Sequence, residues 1–358
     1  MSWLFEFAPH LVVGSLALSL WGGVATAATP RSHYALVQAT LDGFVLPRFA
    51  ALRAAADQLP ATVTRVCEVG DAAARKNFEQ KFHDAVTAYA AIEFLRFGPL
   101  VEAGRRESLS FWPDPRGFVP RQLRQLIASN DAEKATAESI ARQSAAIEGL
   151  PALEILMFDP EHPLGPGADA AYRCRLAQAI AVNVAALAVA VDDGWTKEGG
   201  WKDKMLRPGS DNDTYKEPQE AASELVKALL TGLALVADVQ IKPRIDGKAP
   251  VNGPYAKSKL TADYYRSGVE SLKSLYTALD LEAYLDKDTA WIPGWADGAW
   301  RAMDSSDGLG GRTAASTRSD PPGLRELFDK ITGLRKLVTR DMSAAAGLTV
   351  GFNELDGD

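Results

Sequence analysis

Two glutamates lie inside otherwise apolar runs of sequence, where charged side chains are unusual. Glu93 stands in Ala-Ile-Glu-Phe-Leu-Arg-Phe at residues 91–97, and Glu154 stands in Ala-Leu-Glu-Ile-Leu-Met-Phe at residues 152–158, 61 positions later. A carboxylate is rarely buried without a partner, and helical spacing puts both on an apolar face. The repeated pattern therefore indicates either a polar ligand site between helices or a duplicated structural salt bridge.

Other polar and aromatic side chains could complete such a site. Arg96 lies one turn after the first glutamate, Trp112 and Arg116 belong to a proline-rich loop at residues 111–117, and Asn183 interrupts an apolar helical stripe. An arginine fork can hold an anionic group, whereas Trp112 could equally fasten its loop to the helices. We predict that the ligand-binding residues are Glu93, Arg96, Trp112, Arg116, Glu154 and Asn183.

Histidine is scarce, which limits the metal chemistry that the sequence supports. After residue 28 the chain has only His33, His83 and His162, and it lacks the His-Glu-x-x-His zinc motif. Glu79 and His83 form the one local pair with ligand spacing, but such pairs are common on solvated helix faces. Nucleophile elbows and phosphate-binding loops are missing as well. The residues alone leave the identity of any metal or cofactor unknown.

The two cysteines, Cys67 and Cys174, leave two possibilities open. An even count in an exported protein permits one disulfide. Two separate buried thiols are nearly as compatible with the sequence, because spacing alone does not bring the sulfur atoms together.

Helical periodicity dominates the chain from Ser32 onward. Apolar stripes at spacings of three and four predict long helices at residues 72–97, 170–191 and 260–284, and Asn130 with Glu133 three positions on predicts another helix start. No alternating strand pattern of useful length appears.

These elements predict an all-α fold built from two helical-bundle halves related by duplication, with long loops between the helices. The turn-rich segment at residues 192–216 suggests the junction, so the expected halves are residues 29–192 and 193–358.

The first 28 residues are typical of a secretory signal peptide. An apolar core at residues 11–20 precedes Ala-Thr-Ala at residues 25–27, the small-x-small pattern that signal peptidases cut. No cysteine follows the apolar core, so we expect a periplasmic protein without a lipid anchor and without a membrane span in the mature chain. The net charge of −7 argues against nucleic acid as a partner.

Four segments in order resemble the imelysin-like family. They are Ile-Glu-Phe-Leu-Arg-Phe-Gly-Pro-Leu at residues 92–100, Phe-Trp-Pro-Asp-Pro-Arg at residues 111–116, residues 149–158, and the closing residues 351–358. The resemblance covers essentially the whole chain after the signal peptide. It implies a two-domain, all-α fold of duplicated bundles, export to the periplasm and an association with iron acquisition.

The same family carries the label of a metallopeptidase, peptidase M75, tied to a Gly-x-His-x-x-Glu motif. Three positions before the two glutamates this chain has Ala90 and Pro151, so neither copy has the histidine. The resemblance is to a branch of the family often described as predicted periplasmic lipoproteins, and this chain also lacks the lipobox that such a branch leads one to expect. This chain therefore has the two glutamates of the family motif but lacks the histidine of the peptidase signature.

The leading hypothesis is a periplasmic imelysin-like binding protein associated with iron uptake and not proteolytic. Its partners would be iron or an iron-containing ligand and an outer-membrane uptake component. One alternative is a divergent M75-type metallopeptidase that uses Glu79 and His83 or Glu154. A second alternative is a periplasmic adaptor for an outer-membrane receptor that binds nothing small.

Overall fold

The computed structural model describes residues 31–248, 253–304 and 323–351. The predicted signal peptide at residues 1–28 and nearly all of the closing motif, residues 352–358, lie outside the described residues. Within the described ranges the chain is helical and has no strand, which confirms the all-α prediction.

Most of the described chain lies in α-helices separated by short loops. Their bounds are α1 His33–Thr40, α2 Leu46–Ala56, α3 Leu59–Val69, α4 Ala72–Ala90, α5 Arg105–Leu109, α6 Phe118–Ser129, α7 Ala137–Ile140, α8 Ala145–Glu148, α9 Leu150–Met157, α10 Ala171–Thr196, α11 Trp201–Leu206, α12 Pro218–Ala234, α13 Lys242–Ile245, α14 Thr261–Leu279, α15 Ile292–Asp304, α16 Leu324–Leu337 and α17 Ser343–Ala345. Wider π-helical turns continue three of them at Leu41–Val45, Leu235–Ile241 and Val338–Met342, and 3₁₀ turns lie at Gly98–Leu100, Glu102–Gly104, Ala132–Lys134 and Leu281–Tyr284.

Helix α4 ends seven residues before the predicted end at residue 97, so the predicted length was wrong. The end of α4 is bonded to another helix as well as within its own last turn, where the Ala91 N–H donates to the Thr87 carbonyl at 3.1 Å. The Ser267 hydroxyl of α14 donates to the Thr87 carbonyl at 2.8 Å, and the Ser271 hydroxyl donates to the Ala91 carbonyl at 2.6 Å. Because these acceptors are already used, the backbone can leave the helix at this point, and Glu93 lies in the turn that follows.

The predicted helix start at Asn130 was also wrong. Asn130 ends α6 in a left-handed conformation, with φ of 46°, which asparagine tolerates better than most residues. The chain after it is broken into short turns until α9. Pro151 lies in the first turn of α9, where its missing N–H is not needed.

Helix α10 is the longest helix of the described chain, with 26 residues. It packs against α2, α3, α7 and α9, and its Trp195 is fully buried. The predicted boundary at residue 192 falls inside this helix, and residues from Arg31 onward form one compact unit. The division into two duplicated halves stays a prediction.

The structure joins Cys67 of α3 to Cys174 of α10 in a disulfide, with an S–S distance of 2.08 Å. The bond links two parts of the chain that are 107 residues apart in sequence. Of the two possibilities that the sequence left open, the disulfide is therefore the one observed.

Two helical stretches of the described chain are long and apolar enough to cross a membrane by length and composition, His33–Val69 and Ala171–Leu206. About half of the most apolar window of each, 44% and 56%, is buried against the rest of the molecule. Core helices give the same pattern.

Candidate functional site

Glu93 faces the interior from the turn after α4. The hydroxyl of Tyr264, on α14, donates a hydrogen bond to Oε2 of Glu93. Burial raises the pKa of Glu93 to about 7, although the bond from Tyr264 and the positive charges of Arg96 and Arg106 act in the opposite direction. This carboxyl can therefore gain or lose its proton near neutral pH.

Glu154 lies on α9 and is 6% exposed. Its Oε1 accepts two hydrogen bonds from Ser258, one from the backbone N–H at 2.8 Å and one from the hydroxyl at 2.7 Å. Burial raises the pKa of Glu154, while the bonds from Ser258 and the nearby charge of Lys257 lower it. No salt bridge of Glu154 occurs among the described residues, so hydrogen bonds carry most of its stabilisation.

Tyr255 joins the surroundings of the two glutamates. Its ring centroid lies 5.3 Å from that of Tyr264, whose hydroxyl binds Glu93, and the Ser258 hydroxyl lies 3.0 Å from the Tyr255 carbonyl. Burial raises the pKa of the Tyr255 hydroxyl well above its usual value, and the charges of both Glu93 and Glu154 raise it further. The two motif glutamates therefore belong to one continuous network of side chains.

Further oxygen-bearing side chains line this network. The hydroxyls of Tyr255 and Ser110 lie 2.7 Å apart and share a hydrogen bond, and the hydroxyl of buried Tyr89 donates to the Arg106 carbonyl at 3.3 Å. Burial first, and then the charge of Glu93, raise the pKa of Tyr89 and of Tyr265. The donors around the glutamates are thus carboxylate, phenol and hydroxyl oxygens.

The remaining predicted ligand-binding residues have different surroundings. Arg96 is half-buried and acts on Glu93 through its charge. Trp112 is half-buried and contacts the network through its backbone, since its N–H donates to the Ser110 carbonyl at 2.9 Å. Arg116 is exposed in the turn before α6. Asn183 is buried on α10 and donates to the backbone carbonyl of Glu148 at 2.9 Å. Their role in ligand binding stays a prediction.

A third buried carboxylate, Glu148, precedes the glycine of the second motif. It is 7% exposed, and burial raises its pKa while a hydrogen bond with Ser108 lowers it. Asn183 fixes the backbone of the same residue, so this pair holds the end of α8 in place.

The histidine positions of the family motif hold no nitrogen donor here. Ala90 is the last residue of α4 and Pro151 lies in the first turn of α9. Glu79 is exposed, and the acidic neighbours of His83 are Asp84 at 3.5 Å and Asp263 at 3.8 Å.

The cluster with metal-ligand geometry in the described part of the chain lies elsewhere. Asp159, Glu161 and His162 place one ligand atom each within 4.8 Å of one another. The Asp159 carboxylate already accepts from Arg173 at 2.9 Å, and the other two residues are exposed.

Sequence reasoning missed Tyr255, Ser258 and Ser110. Tyr255 and Ser258 fall in a Pro/Gly-rich loop that carries no periodic signal, and Ser110 precedes the proline-rich loop. Tyr264 lies on the apolar stripe of the helix predicted at residues 260–284, but that pattern does not distinguish a core tyrosine from one that binds a carboxylate.

Comparison with known proteins agrees with the all-helical fold. The family model for imelysin, peptidase M75, matches residues 45–292, so the chain belongs to the imelysin family. No curated protein matches the sequence.

Two solved structures share the fold. An imelysin-like protein from Psychrobacter arcticum 273-4 has 19% sequence identity and a TM-score of 0.70, over 89% of this chain and 97% of the other. A chain described as an iron-regulated protein A precursor from Parabacteroides distasonis ATCC 8503 has 14% identity and a TM-score of 0.67, over 90% of this chain and 96% of the other.

Proposed function

We propose that this protein is an exported, periplasmic member of the imelysin family that binds its ligand at the paired glutamates, supports iron acquisition and does not cleave peptides. One observation carries the proposal. Glu93 and Glu154, 61 residues apart in sequence, belong to a single network through Tyr255 and Tyr264, while the motif histidines are replaced by Ala90 and Pro151.

The donor set supports a hard cation as cargo. Carboxylate and other oxygen ligands suit hard metal ions, whereas catalytic zinc sites are normally built on histidine. The network around Glu93 offers carboxylate, phenol and hydroxyl oxygens, and ferric iron is a hard ion. The described residues therefore fit iron as a bound substrate better than they fit a peptidase zinc site.

Two further observations support the assignment to iron acquisition in the periplasm. One structural relative carries the description of an iron-regulated protein precursor, and residues 1–28 have the pattern of a signal peptide. An outer-membrane uptake component remains the proposed partner. Mass spectrometry of the native protein should find the new N-terminus close to residue 28, and an uncleaved chain in the cytoplasmic fraction would contradict export.

Titration calorimetry of the purified protein with ferric, ferrous and zinc ions tests the ligand. We expect ferric iron to bind, and we expect Glu93→Gln and Glu154→Gln each to weaken binding at least about tenfold, because each removes a charged oxygen donor. Glu79→Gln, which changes an exposed glutamate of α4, is the matched control. Wild-type protein that binds none of the three ions would overturn the assignment of a metal ligand.

A peptidase assay separates this proposal from the metallopeptidase alternative. We expect no chelator-sensitive cleavage of a peptide library by the wild type. Cleavage that disappears both with chelator and in Glu154→Gln would favour the peptidase.

A further inference from the structure

A non-helical segment at residues 253–260, here called the strap, contacts the surroundings of both glutamates. It leads directly into α14, and its backbone folds back on itself, since the Leu260 N–H donates to the Tyr255 carbonyl at 2.9 Å. At its other end the Thr261 hydroxyl donates to the Pro254 carbonyl at 2.7 Å. The strap is therefore a defined structure beside the site and not an extended linker.

The inner side of the strap is attached to the site by side-chain contacts. Ser258 gives both of its donors to Glu154, and the Tyr255 hydroxyl bonds with Ser110. The Tyr255 ring also packs edge-on against Phe82, with ring centroids 6.1 Å apart. The strap therefore contacts Glu154 through Ser258 and the Tyr264 ring through Tyr255.

The outer side of the strap has a different character. Lys257 and Lys259 are exposed, and they lie on either side of Ser258 in the sequence. Because the two lysines are already exposed to solvent, moving the strap outward would cost chiefly the contacts on its inner side.

Two non-glycine residues of the strap have an unfavourable backbone conformation. Tyr255 has φ of 54° and Lys259 has φ of 64°, both in the left-handed region. For non-glycine residues this costs on the order of 1 kcal/mol each, and it persists only where contacts enforce it. Loss of those contacts would therefore favour a change of backbone conformation at both positions.

We propose that the strap is the gate of the glutamate site and that Ser258 is its latch on Glu154. With the latch closed, Glu154 is shielded and its Oε1 is occupied. With the latch open, Oε1 is released and the network becomes accessible to an incoming ion. This inference rests on the proposed function for the identity of the cargo, but the movement of the strap is a property of the protein alone.

Two substitutions separate the latch from the ligand site. Ser258→Ala removes the hydroxyl bond and leaves both glutamates intact. Glu154→Gln removes the charge but keeps an Oε1 that can accept both bonds from Ser258. The first should loosen the strap, and the second should weaken ion binding with little effect on the strap.

Hydrogen exchange of the full chain, read by mass spectrometry on peptides that contain residues 253–260, measures opening without any ligand. We expect strap amides to exchange about tenfold faster in Ser258→Ala, since the hydroxyl hydrogen bond is lost outright. In Glu154→Gln we expect exchange within about threefold of wild type, since both bonds are kept and lose only their charge assistance. Ser274→Ala is the matched control, because that half-buried serine of α14 bonds to the Glu270 carbonyl of its own helix and to Arg48, and not to the strap.

The outcomes distinguish the two proposals. Faster strap exchange in Ser258→Ala supports the latch even if ferric iron fails to bind any variant, a result that would overturn the proposed cargo alone. Unchanged strap exchange in Ser258→Ala would overturn the latch, and so would wild-type strap amides that exchange only as fast as the core amides of α10. If ferric iron binds, stopped-flow mixing should also show faster association with Ser258→Ala than with wild type, and equal rates would overturn the gate.

Discussion

The interior carboxyls are stabilised chiefly by hydrogen bonds from neutral groups. Glu93 takes its bond from a tyrosine, and Glu154 takes two from a serine. Hydrogen bonds from neutral donors offset only part of the free energy that burial of a carboxylate costs, and they offset less of it than an ion pair would. The pKa of each of these two carboxyls therefore stays raised. The pKa of Glu93, raised to about 7, leaves this carboxyl partly protonated at neutral pH, so binding a cation there would release a proton.

The first prediction concerns the pH dependence of stability through Glu93. Its pKa is raised from 4.5 to about 7 on folding, so the unfolded chain loses this proton first as the pH increases. The contribution of Glu93 therefore destabilises the fold progressively between pH about 4.5 and 7, by about 3 kcal/mol in full. Glu93→Gln, which cannot ionise, should lack this component.

Urea unfolding of wild type and Glu93→Gln at pH 5 and pH 8 measures the difference. The variant should gain stability relative to wild type on going from pH 5 to pH 8, whereas Glu79→Gln, at an exposed site, should not. A constant difference between wild type and Glu93→Gln across this range would contradict the raised pKa.

The second prediction concerns the hydroxyl of Tyr264. Because its bond to Glu93 lowers the carboxyl pKa, Tyr264→Phe should move the upper end of the pH window above 7 and cost about 1 to 3 kcal/mol of stability at pH 8. Tyr276→Phe removes a comparable bond, to Glu282 at 2.6 Å, outside the network. The same urea series should show no movement of the window in that control, and movement in both variants would refute a specific role for Tyr264.

At the scale of elements, the site depends on where helices stop. Glu93 projects inward from the turn that follows Ala90, the last residue of α4, where serines of α14 donate to the Thr87 and Ala91 carbonyls. Glu154 projects inward because α9 restarts at Leu150 immediately after Gly149. The positions of two helix boundaries therefore determine the directions of the two carboxylates.

The third prediction is that Gly149 cannot accept a side chain. A Cβ added there would lie 2.2 Å from the backbone oxygen of Ser108, and backbone cannot give way as a flexible side chain can. Gly149→Ala should lower the free energy of unfolding by about 3 kcal/mol or more, as measured by urea unfolding.

Gly294→Ala is its control. Gly294 lies in α15 with nothing within 4 Å of an added Cβ, so alanine should be neutral or stabilise by about 0.5 to 1 kcal/mol through helix propensity. Equal effects of the two substitutions would show that the close approach at Gly149 is not rigid.

The sequence predicts the helices better than it predicts the site. Periodicity places α10 and α14 within a few residues and puts Glu154 on a buried face, because a 3.6-residue period is a local property. It fails at residue 97 and at Asn130, where contacts with distant helices or loops decide the boundary. Ser258 and Tyr255 could not be found, since their role depends on a loop that meets α9 only in three dimensions.

At the scale of the whole molecule, the disulfide is the longest covalent constraint in the chain. Cys67–Cys174 closes a loop between residues 107 apart, and constraint of the unfolded chain by a loop of this length is worth about 4 to 5 kcal/mol. The fourth prediction is that reductant lowers the urea midpoint of wild type. The double variant Cys67→Ser/Cys174→Ser should have the same lowered midpoint whether or not reductant is present. A wild-type midpoint that does not change on full reduction would rule out a stabilising role of the disulfide.

The fifth prediction concerns cooperativity. Residues before 192 and residues after it share α10, and the bonds Tyr264–Glu93 and Ser258–Glu154 cross the same point in the sequence. Helix α14 also packs against both α4 and α12. Separating the two parts would leave buried carboxylates without their donors, at a cost of roughly 1 to 3 kcal/mol or more for each.

We therefore expect the mature chain to unfold in a single transition by differential scanning calorimetry, with equal calorimetric and van't Hoff enthalpies. A chain of residues 29–197, which keeps all of α10, should not reach native helicity by circular dichroism, because Glu93 and Glu154 lose Tyr264 and Ser258. Two separate transitions, or a folded fragment, would instead mean that each predicted half is stable alone and that the glutamate network forms only when the halves dock.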